Sequence, residues 1–208
     1  MILVQLQTIW WLQIIAAVEM KRSNSQMWQD VVKQLFGYLR RILREQLDRR
    51  FVFGITLGPD MMTVWLHDRS GVIGTKTSIN IHKVGKIQYS TNVHGFLISF
   101  CPQDPARFIQ VLASFSLLPP EKLGFDPTIK LLVSPNHAVP SYMPNEDFIK
   151  AYQDAPHNRR WVITMNDGLE YVTVETVSSV RAGFMRGRGS IAWVVVPFND
   201  TEESKVRR

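Results

Sequence analysis

The sequence predicts an α+β fold. Its first part is a mixed sheet with helices, and its last part is a set of antiparallel strands. Residues 9–21 form an apolar segment rich in Trp, Ile and Val, a composition typical of buried strands. Apolar residues then recur in steps of three and four from Trp28 to Leu47, which predicts an amphipathic helix. After residue 158, short apolar segments alternate with turn-forming residues, which predicts strands joined by hairpins.

The first part of the chain predicts a strand, a helix and a hairpin, in that order. The polar residues at 23–25 supply turn and N-cap chemistry between the strand and the helix. The apolar positions of the helix are Trp28, Val31, Val32, Leu35, Leu39, Ile42, Leu43 and Leu47. Residues 51–57 and 61–66 predict the two strands of a hairpin, with a Gly-Pro-Asp turn at 58–60 between them.

The second part predicts a turn, a strand, a helix, an irregular connection and several short strands. The turn lies at 68–71, the strand near 78–82, and the helix at 104–116, with Pro105 in its first turn. Four prolines interrupt residues 134–158, which predicts a linker there. The last strands are predicted at 161–165, 171–174, 180–185 and 191–196. The predicted division is an N-terminal domain at 1–133, a linker at 134–158 and a strand region at 159–208.

The composition is that of a globular protein with an excess of positive charge. Of the 208 residues, 45% are apolar and 20% charged, and the formal net charge is +6. Such a charge favours polyanions without specificity. A basic stretch contains Arg40, Arg41, Arg44, Arg49 and Arg50. We interpret this stretch mainly as a solvated helix face, with nucleic-acid binding through Arg40, Arg41 and Arg44 as the alternative.

The single cysteine and the N-terminal segment bear on the cellular compartment. Cys101 stands alone in an apolar stretch, so the sequence predicts a buried free thiol and an intracellular location, in the cytoplasm or the nucleus. Residues 1–18 contain no charged residue, but Gln5, Gln7 and Gln13 interrupt them. We therefore interpret this segment as buried strands rather than as a membrane anchor.

A first group of candidate site residues lies at the end of the first strand and on the helix after it. Glu19 and Lys21 are two residues apart, so they project from the same face of a strand. Gln34 and Tyr38 share a helix face because they are four residues apart. Val-Glu-x-Lys followed by Gln-x-x-x-Tyr resembles the RecB-like branch of the PD-(D/E)xK nucleases. That resemblance implies a Mg²⁺-dependent nuclease fold with Glu19 as a metal ligand.

No Asp or Glu precedes Glu19, although that nuclease family uses an upstream acidic residue to complete its metal site. The resemblance therefore implies a degenerate motif, with Glu19 as the single metal candidate. The simpler alternative for Glu19 and Lys21 is an ion pair at a strand end.

A second group of candidate residues lies near the C-terminus, between two predicted strands. It consists of Gly187, Gly189, Ser190, Ala192 and Val194. The pattern resembles the Gly-x-Gly-x-x-Gly-x-Val loop that covers the phosphates of ATP in protein kinases, with Ala192 in place of the third glycine. A turn in a hairpin is the alternative. No Val-Ala-Ile-Lys strand, His-Arg-Asp loop or Asp-Phe-Gly string follows in these 208 residues.

Several strings in order make the resemblance more specific. They are Gln34-Leu35 with Tyr38, Gln46 with Arg49-Arg50-Phe51-Val52-Phe53-Gly54, Asp68-Arg69-Ser70-Gly71, Leu123-Gly124-Phe125-Asp126-Pro127-Thr128, and Gly187-Arg188-Gly189. The chain resembles the fungal-type protein kinase family, some of whose members are discussed with Crinkler-like effectors. The resemblance implies an N-terminal nuclease-like region and the first strands of a kinase N-lobe, with ATP and Mg²⁺ as cofactors.

The sequence thus leads to one preferred hypothesis and one alternative. The preferred hypothesis is a truncated, non-catalytic accessory or regulatory part of a fungal-type kinase, with no catalytic residue of its own. Its expected partners are the remainder of a kinase domain or another protein. The alternative is a degenerate metal-dependent nuclease or a nucleic-acid-binding module.

Overall fold

The computed structural model describes residues 11–21, 28–81, 105–142, 159–179 and 191–198, together with the backbone of two short strands at 89–90 and 97–98. The described part contains two α-helices, two five-stranded sheets and a two-stranded sheet. One large sheet is mixed and the other is wholly antiparallel. The predicted α+β class is therefore confirmed. None of the described helices is long and apolar enough to cross a membrane.

The first sheet follows a short 3-10 turn at Trp11–Gln13. Its strands, with the helix that connects the first two, are β1 (Ala16–Met20), α1 (Trp28–Glu45), β2 (Phe51–Leu57), β3 (Met61–Asp68), β4 (Val72–Gly74) and β5 (Ile79–Asn80). The spatial order is β1-β2-β3-β4, and β5 also pairs with β3. β1 and β2 are parallel because α1 carries the chain back across the sheet, whereas β2 and β3 form the predicted antiparallel hairpin.

Helix α1 packs on this sheet through the apolar stripe that the sequence predicts. Leu35, Leu39, Ile42 and Leu43 are fully buried and pack against Val52 of β2. Gly54 lies beneath the helix, where an added Cβ would stand 2.9 Å from a methyl carbon of Leu39. The helix can therefore approach the sheet closely at this point.

The N-terminal segment forms a strand, β1, as predicted, but the prediction that it is buried is wrong for part of the described segment. Residues 11–13 form a 3-10 turn, and within the described ranges β1 pairs only with β2, at the edge of the first sheet. Val18 and Met20 are 49% and 62% exposed, because one face of this edge strand has no covering layer in the described part of the chain. Residues 1–10 lie outside the described residues.

The remaining elements are β6 (Tyr89–Ser90), β7 (Leu97–Ile98), α2 (Pro105–Leu117), β8 (Ile129–Ser134), β9 (His137–Val139), β10 (Trp161–Thr164), β11 (Glu170–Ser179) and β12 (Ile191–Pro197). β6 pairs with β7. A second 3-10 turn, Pro120–Leu123, follows α2. The predicted helix at 104–116 is confirmed by α2. Cys101 lies outside the described residues.

The second large sheet has the order β12-β11-β10-β8-β9, and every neighbouring pair is antiparallel. Its core contains Leu131, Val139 and Trp161, and Leu12 from the first 3-10 turn joins them. Trp11 and Ile14, from the same N-terminal segment, pack instead against the core under α1. Residues 11–14 therefore contribute to both cores.

The second sheet joins strands from all three parts of the predicted domain division. β8 begins in the predicted N-terminal domain, β9 lies inside the predicted linker at 134–158, and β10 to β12 lie in the last part. β9 is short and sits between prolines, so its alternation was too brief to be seen in the sequence. The division into domains stays a prediction.

Candidate functional site

Glu19 and Lys21 lie at the end of β1, and their burial alternates with that of their neighbours. Both are half-buried, whereas Val18 and Met20 are exposed. Glu19 is in register with Thr56 of β2, and the Lys21 amide donates to the Leu57 carbonyl at 2.7 Å. The two functional groups therefore belong to the strand face that α1 covers.

Lys21 faces a small cavity at the start of α1. Its Nζ lies 5.8 Å from the centre of the Trp28 ring. A cavity of about 260 Å³ is lined by Lys21 and Trp28 together with the turn residues 58–61 and Ser78. Within the described residues, no group of three or more His, Cys, Asp or Glu side chains is placed to hold a metal ion. Glu19 as a metal ligand stays a prediction.

Gln34 and Tyr38 contact each other on α1. The Gln34 Nε2 donates to the Tyr38 Oη at 2.6 Å, as expected for residues one helical turn apart. The Tyr38 ring lies 6.3 Å from the ring of Trp11. Both residues thus lie on the side of α1 that faces the N-terminal segment and solvent. Their role in a nuclease-like motif stays a prediction.

The glycine-loop residues fall partly outside the described residues. Gly187, Gly189 and Ser190 are among those not described. Ala192 and Val194 lie on β12, where they pair with Ser178 and Glu175 of β11. The segment 180–190 therefore connects two antiparallel, hydrogen-bonded strands, which is the setting that a phosphate-covering loop uses.

The arginines of α1 have different surroundings. Arg41 is exposed and its guanidinium lies 5.7 Å from the Trp11 ring centre, and Arg44 is exposed beside Glu45 at 3.2 Å. Arg40 is half-buried. Nucleic-acid binding through these three residues stays a prediction.

The interpretation of the whole basic stretch as a solvated helix face is wrong for Arg49. α1 ends at Glu45, and Arg49 is 1% exposed. Its guanidinium donates to the carbonyls of Ile15 (3.0 Å) and Phe51 (3.1 Å) and to the Gln46 Oε1 (3.3 Å). The Phe125 ring covers it, with its centre 4.1 Å from the Arg49 Cζ. A buried guanidinium with this many partners is a structural element rather than a surface charge.

Arg49 is the centre of a buried cluster that we call the polar joint, defined as Gln46, Asp48, Arg49, Phe125 and Ser141. The Gln46 Nε2 donates to the carbonyls of Trp11 and Ile14 at 2.7 and 2.9 Å. The Ser141 Oγ donates to the Asp48 Oδ2 at 2.5 Å, across 93 positions of sequence. The polar joint therefore connects the end of α1 with the N-terminal segment and with the segments that flank the second sheet.

Backbone contacts reinforce the polar joint. Arg49 and Phe125 form a β-bridge, the Arg50 amide donates to the Gly124 carbonyl at 2.8 Å, and the Asp126 amide donates to the Asp48 carbonyl at 2.6 Å. Gly124 has a φ of +100°, and an added Cβ would stand 2.1 Å from the Phe51 carbonyl oxygen. Glycine is required there by both the backbone conformation and the space. Gln46, Arg49 and Phe125 stand in the strings of the family resemblance, but no sequence signal marked Asp48 or Ser141, and the strings do not reveal burial.

Burial shifts the pKa values of the two charged residues of the polar joint. It raises the pKa of Asp48 from 3.8 to about 6, against the opposing effects of the Ser141 hydrogen bond and the Arg49 charge. The Asp48 Oδ1 has no hydrogen-bond partner among the described residues. Burial also lowers the pKa of Arg49 to about 10, which leaves the guanidinium protonated at neutral pH.

The raised pKa of Asp48 predicts a dependence of stability on pH. Because the folded state holds the Asp48 proton up to about pH 6 whereas the unfolded chain loses it near 3.8, the stabilisation is complete below 3.8 and is lost as pH rises through 6. The loss is expected to reach about 3 kcal/mol in the free energy of unfolding. Urea unfolding between pH 4 and pH 7 measures it, and Asp48→Asn should remove this component. Identical pH profiles for the two proteins would contradict the assignment.

Comparison with known proteins identifies the family. No curated protein and no solved structure matches the chain. The sequence does match the family described as Fungal protein kinase over residues 4–205, which is nearly the whole chain. That range includes both large sheets, the polar joint and the β11–β12 hairpin. The chain therefore belongs to the fungal protein kinase family.

Proposed function

We propose that this chain is a non-catalytic accessory part of a fungal protein kinase, in which a buried joint fixes one sheet relative to the other. The proposal rests on where three of the sequence strings quoted for the family resemblance lie in the fold. The strings at 46–54, 68–71 and 123–128 meet at the polar joint, where they hold backbone segments together. Residues used in this way support a scaffold rather than a reaction centre.

The proposal assigns the β11–β12 hairpin a place in the nucleotide lobe. Gly187, Gly189 and Ser190 would cover the phosphates of ATP, and Ala192 and Val194 would stand beside them on β12. The antiparallel pairing of the flanking strands fits such a loop. ATP with Mg²⁺ supplies the transferable phosphoryl group in this family. Val194 is 44% exposed and so is available to an adenine ring or to another part of a kinase domain.

Phosphoryl transfer needs more than this loop. It requires a lysine that positions the phosphates, carboxylates that hold Mg²⁺, and an aspartate that faces the substrate hydroxyl. The strings that carry these groups in kinases do not occur in the 208 residues. We therefore propose that this chain acts by supporting the remainder of a kinase domain, inside the cell, rather than by transferring phosphate itself.

A phosphotransfer assay tests this proposal. The purified chain with Mg²⁺ and γ-labelled ATP is expected to transfer no label to casein or to itself above the level of a blank preparation. Gly189→Asp, purified in the same way, is the matched control, because the resemblance to a phosphate-covering loop implies that a carboxylate at this position would repel the phosphates. Label transfer that rises with the concentration of the chain and is lost in Gly189→Asp would overturn the non-catalytic assignment.

A degenerate nuclease is the second candidate, because Glu19 and Lys21 share the half-buried face of β1 and a parallel β1–α1–β2 crossover follows them. A lone carboxylate holds Mg²⁺ weakly, since this ion prefers several oxygen ligands. Under this alternative, the chain would cut DNA in the presence of Mg²⁺, and Glu19→Ala would abolish the cutting while leaving DNA binding intact. DNA cleavage that persists in Glu19→Ala would contradict this alternative.

A further inference from the structure

A pocket of about 320 Å³ opens beside the polar joint. Its polar lining consists of Arg49, Arg50, Asp68, Arg69, Ser70 and Asp126. Residues from three strings of the family resemblance line the pocket: Arg50 before β2, Arg69 after β3, and Asp126 before β8. The pocket is separate in sequence from the glycine-loop segment and from Glu19 and Lys21.

Arg50 and Arg69 are each held by a backbone carbonyl rather than by a salt bridge, although the nearby Asp48 charge also acts on Arg69. The Arg50 Nη2 donates to the Phe125 carbonyl and the Arg69 Nη2 to the Arg49 carbonyl, each at 3.4 Å. Within the described ranges, neither guanidinium has a carboxylate within salt-bridge distance. Each guanidinium carries five N–H donors, so most of the donors on both side chains are left for a ligand. Burial also lowers the pKa of Arg69, which is typical of a partly desolvated cation.

The two carboxylates that line the pocket accept hydrogen bonds from neighbouring residues of their own turns. The Asp68 Oδ1 accepts from the Ser70 amide, the Ser70 Oγ and the Gly71 amide, each at 2.7 Å. The Asp126 Oδ1 accepts from the Thr128 amide at 3.0 Å and from the Thr128 Oγ1 at 2.7 Å. These carboxylates shape the loops that carry the arginines and reduce the net positive charge, but they do not pair with either guanidinium.

We infer that this pocket binds a phosphate monoester through Arg50 and Arg69. The guanidinium fork matches the oxygens of phosphate in a bidentate way. Two such forks at one pocket match a group with three free oxygens and nearly two negative charges, whereas a carboxylate needs only one fork. A metal cation is disfavoured because the pocket is lined by three arginines and two aspartates. The phosphate can belong to a phosphorylated side chain or to free inorganic phosphate.

A nuclear magnetic resonance titration of the full chain tests the site. Inorganic phosphate, added at constant ionic strength against chloride, is expected to shift the Arg50 and Arg69 Nε–H signals and the Ser70 and Gly71 amide signals in a saturable way. N-acetyl-phosphoserine amide is the second probe, and N-acetylserine amide is its unphosphorylated control. Tighter binding of the ester than of inorganic phosphate assigns the site to phosphorylated side chains, and equal binding assigns it to phosphate in general.

Two variants and one control make the result decisive. Arg69→Gln and Arg50→Gln are each expected to weaken phosphate binding about tenfold, because each removes one charge-assisted fork. Arg107→Gln, an exposed arginine of α2 to which no binding role is assigned, should leave the affinity unchanged. Signal dispersion in the same spectra shows whether each variant is folded. Unchanged affinity in both pocket variants, or shifts that map to α1 instead, would overturn the inference. The phosphotransfer assay tests a different claim, so either proposal can fail alone.

Discussion

Leu35→Asp is expected to unfold the first sheet and its helix. Leu35 is fully buried in the cluster that α1 forms with Val52. An ionised carboxylate at this position has no partner in an apolar core, and burying it costs several kcal/mol. That penalty is comparable with the whole stability of a typical domain, about 5–15 kcal/mol. Circular dichroism should show loss of the cooperative thermal transition at 25 °C and above.

Gln34→Asp is the matched control for Leu35→Asp. Gln34 is the preceding residue on the same helix but is exposed, and it loses only its bond to the Tyr38 Oη. The control should therefore change the free energy of unfolding by less than about 1 kcal/mol. A melting curve for Leu35→Asp that matches those of Gln34→Asp and the wild type would show that the core is not built on this face of α1.

Arg49→Met is expected to destabilise the protein by about 3–5 kcal/mol, the range for removing one member of a buried charged network. Methionine fills similar space under Phe125 but leaves the carbonyls of Ile15 and Phe51 without their donor. It also leaves the Asp48 charge without its neighbouring cation above pH 6. Urea unfolding at pH 7 should show a midpoint lower by about 1 M or more.

Two comparisons make the Arg49 result specific. Arg44→Met removes an arginine whose side chain is 65% exposed, and it should shift the midpoint little. Arg49→Lys keeps a charge but not the planar fork, so it should recover only part of the loss. Equal stability of Arg49→Met and Arg44→Met would contradict the structural role of the polar joint.

The sequence predicted the elements whose signals are local. The apolar steps along α1 and the turn between β2 and β3 occupy short windows, so the helix and the hairpin could be recognised without tertiary information. The alternation at Glu19 and Lys21 also matches the burial along β1. β9 was missed because three residues between prolines give no periodicity.

The polar joint could not be predicted because its contacts are long-range. Asp48 and Arg49 look like surface charges in a basic stretch, and only partners such as Ser141 and Phe125 bury them. Composition and periodicity carry no information on pairs separated by more than 75 positions. The strings of the family resemblance contain Arg49 and Phe125 but neither Asp48 nor Ser141, and they carry no information on burial.

Native-state hydrogen exchange tests most directly whether the polar joint makes one cooperative unit of the two sheets. The account predicts that the most protected amides of β2, such as Val52 and Ile55, and those of the second sheet, such as Leu131 and Val172, exchange with opening free energies equal within about 1 kcal/mol. All four residues are at most 1% exposed. If the amides of the second sheet exchanged with an opening free energy several kcal/mol lower than those of β2, the two sheets would open independently. That result would contradict the claim that the polar joint makes them one cooperative unit.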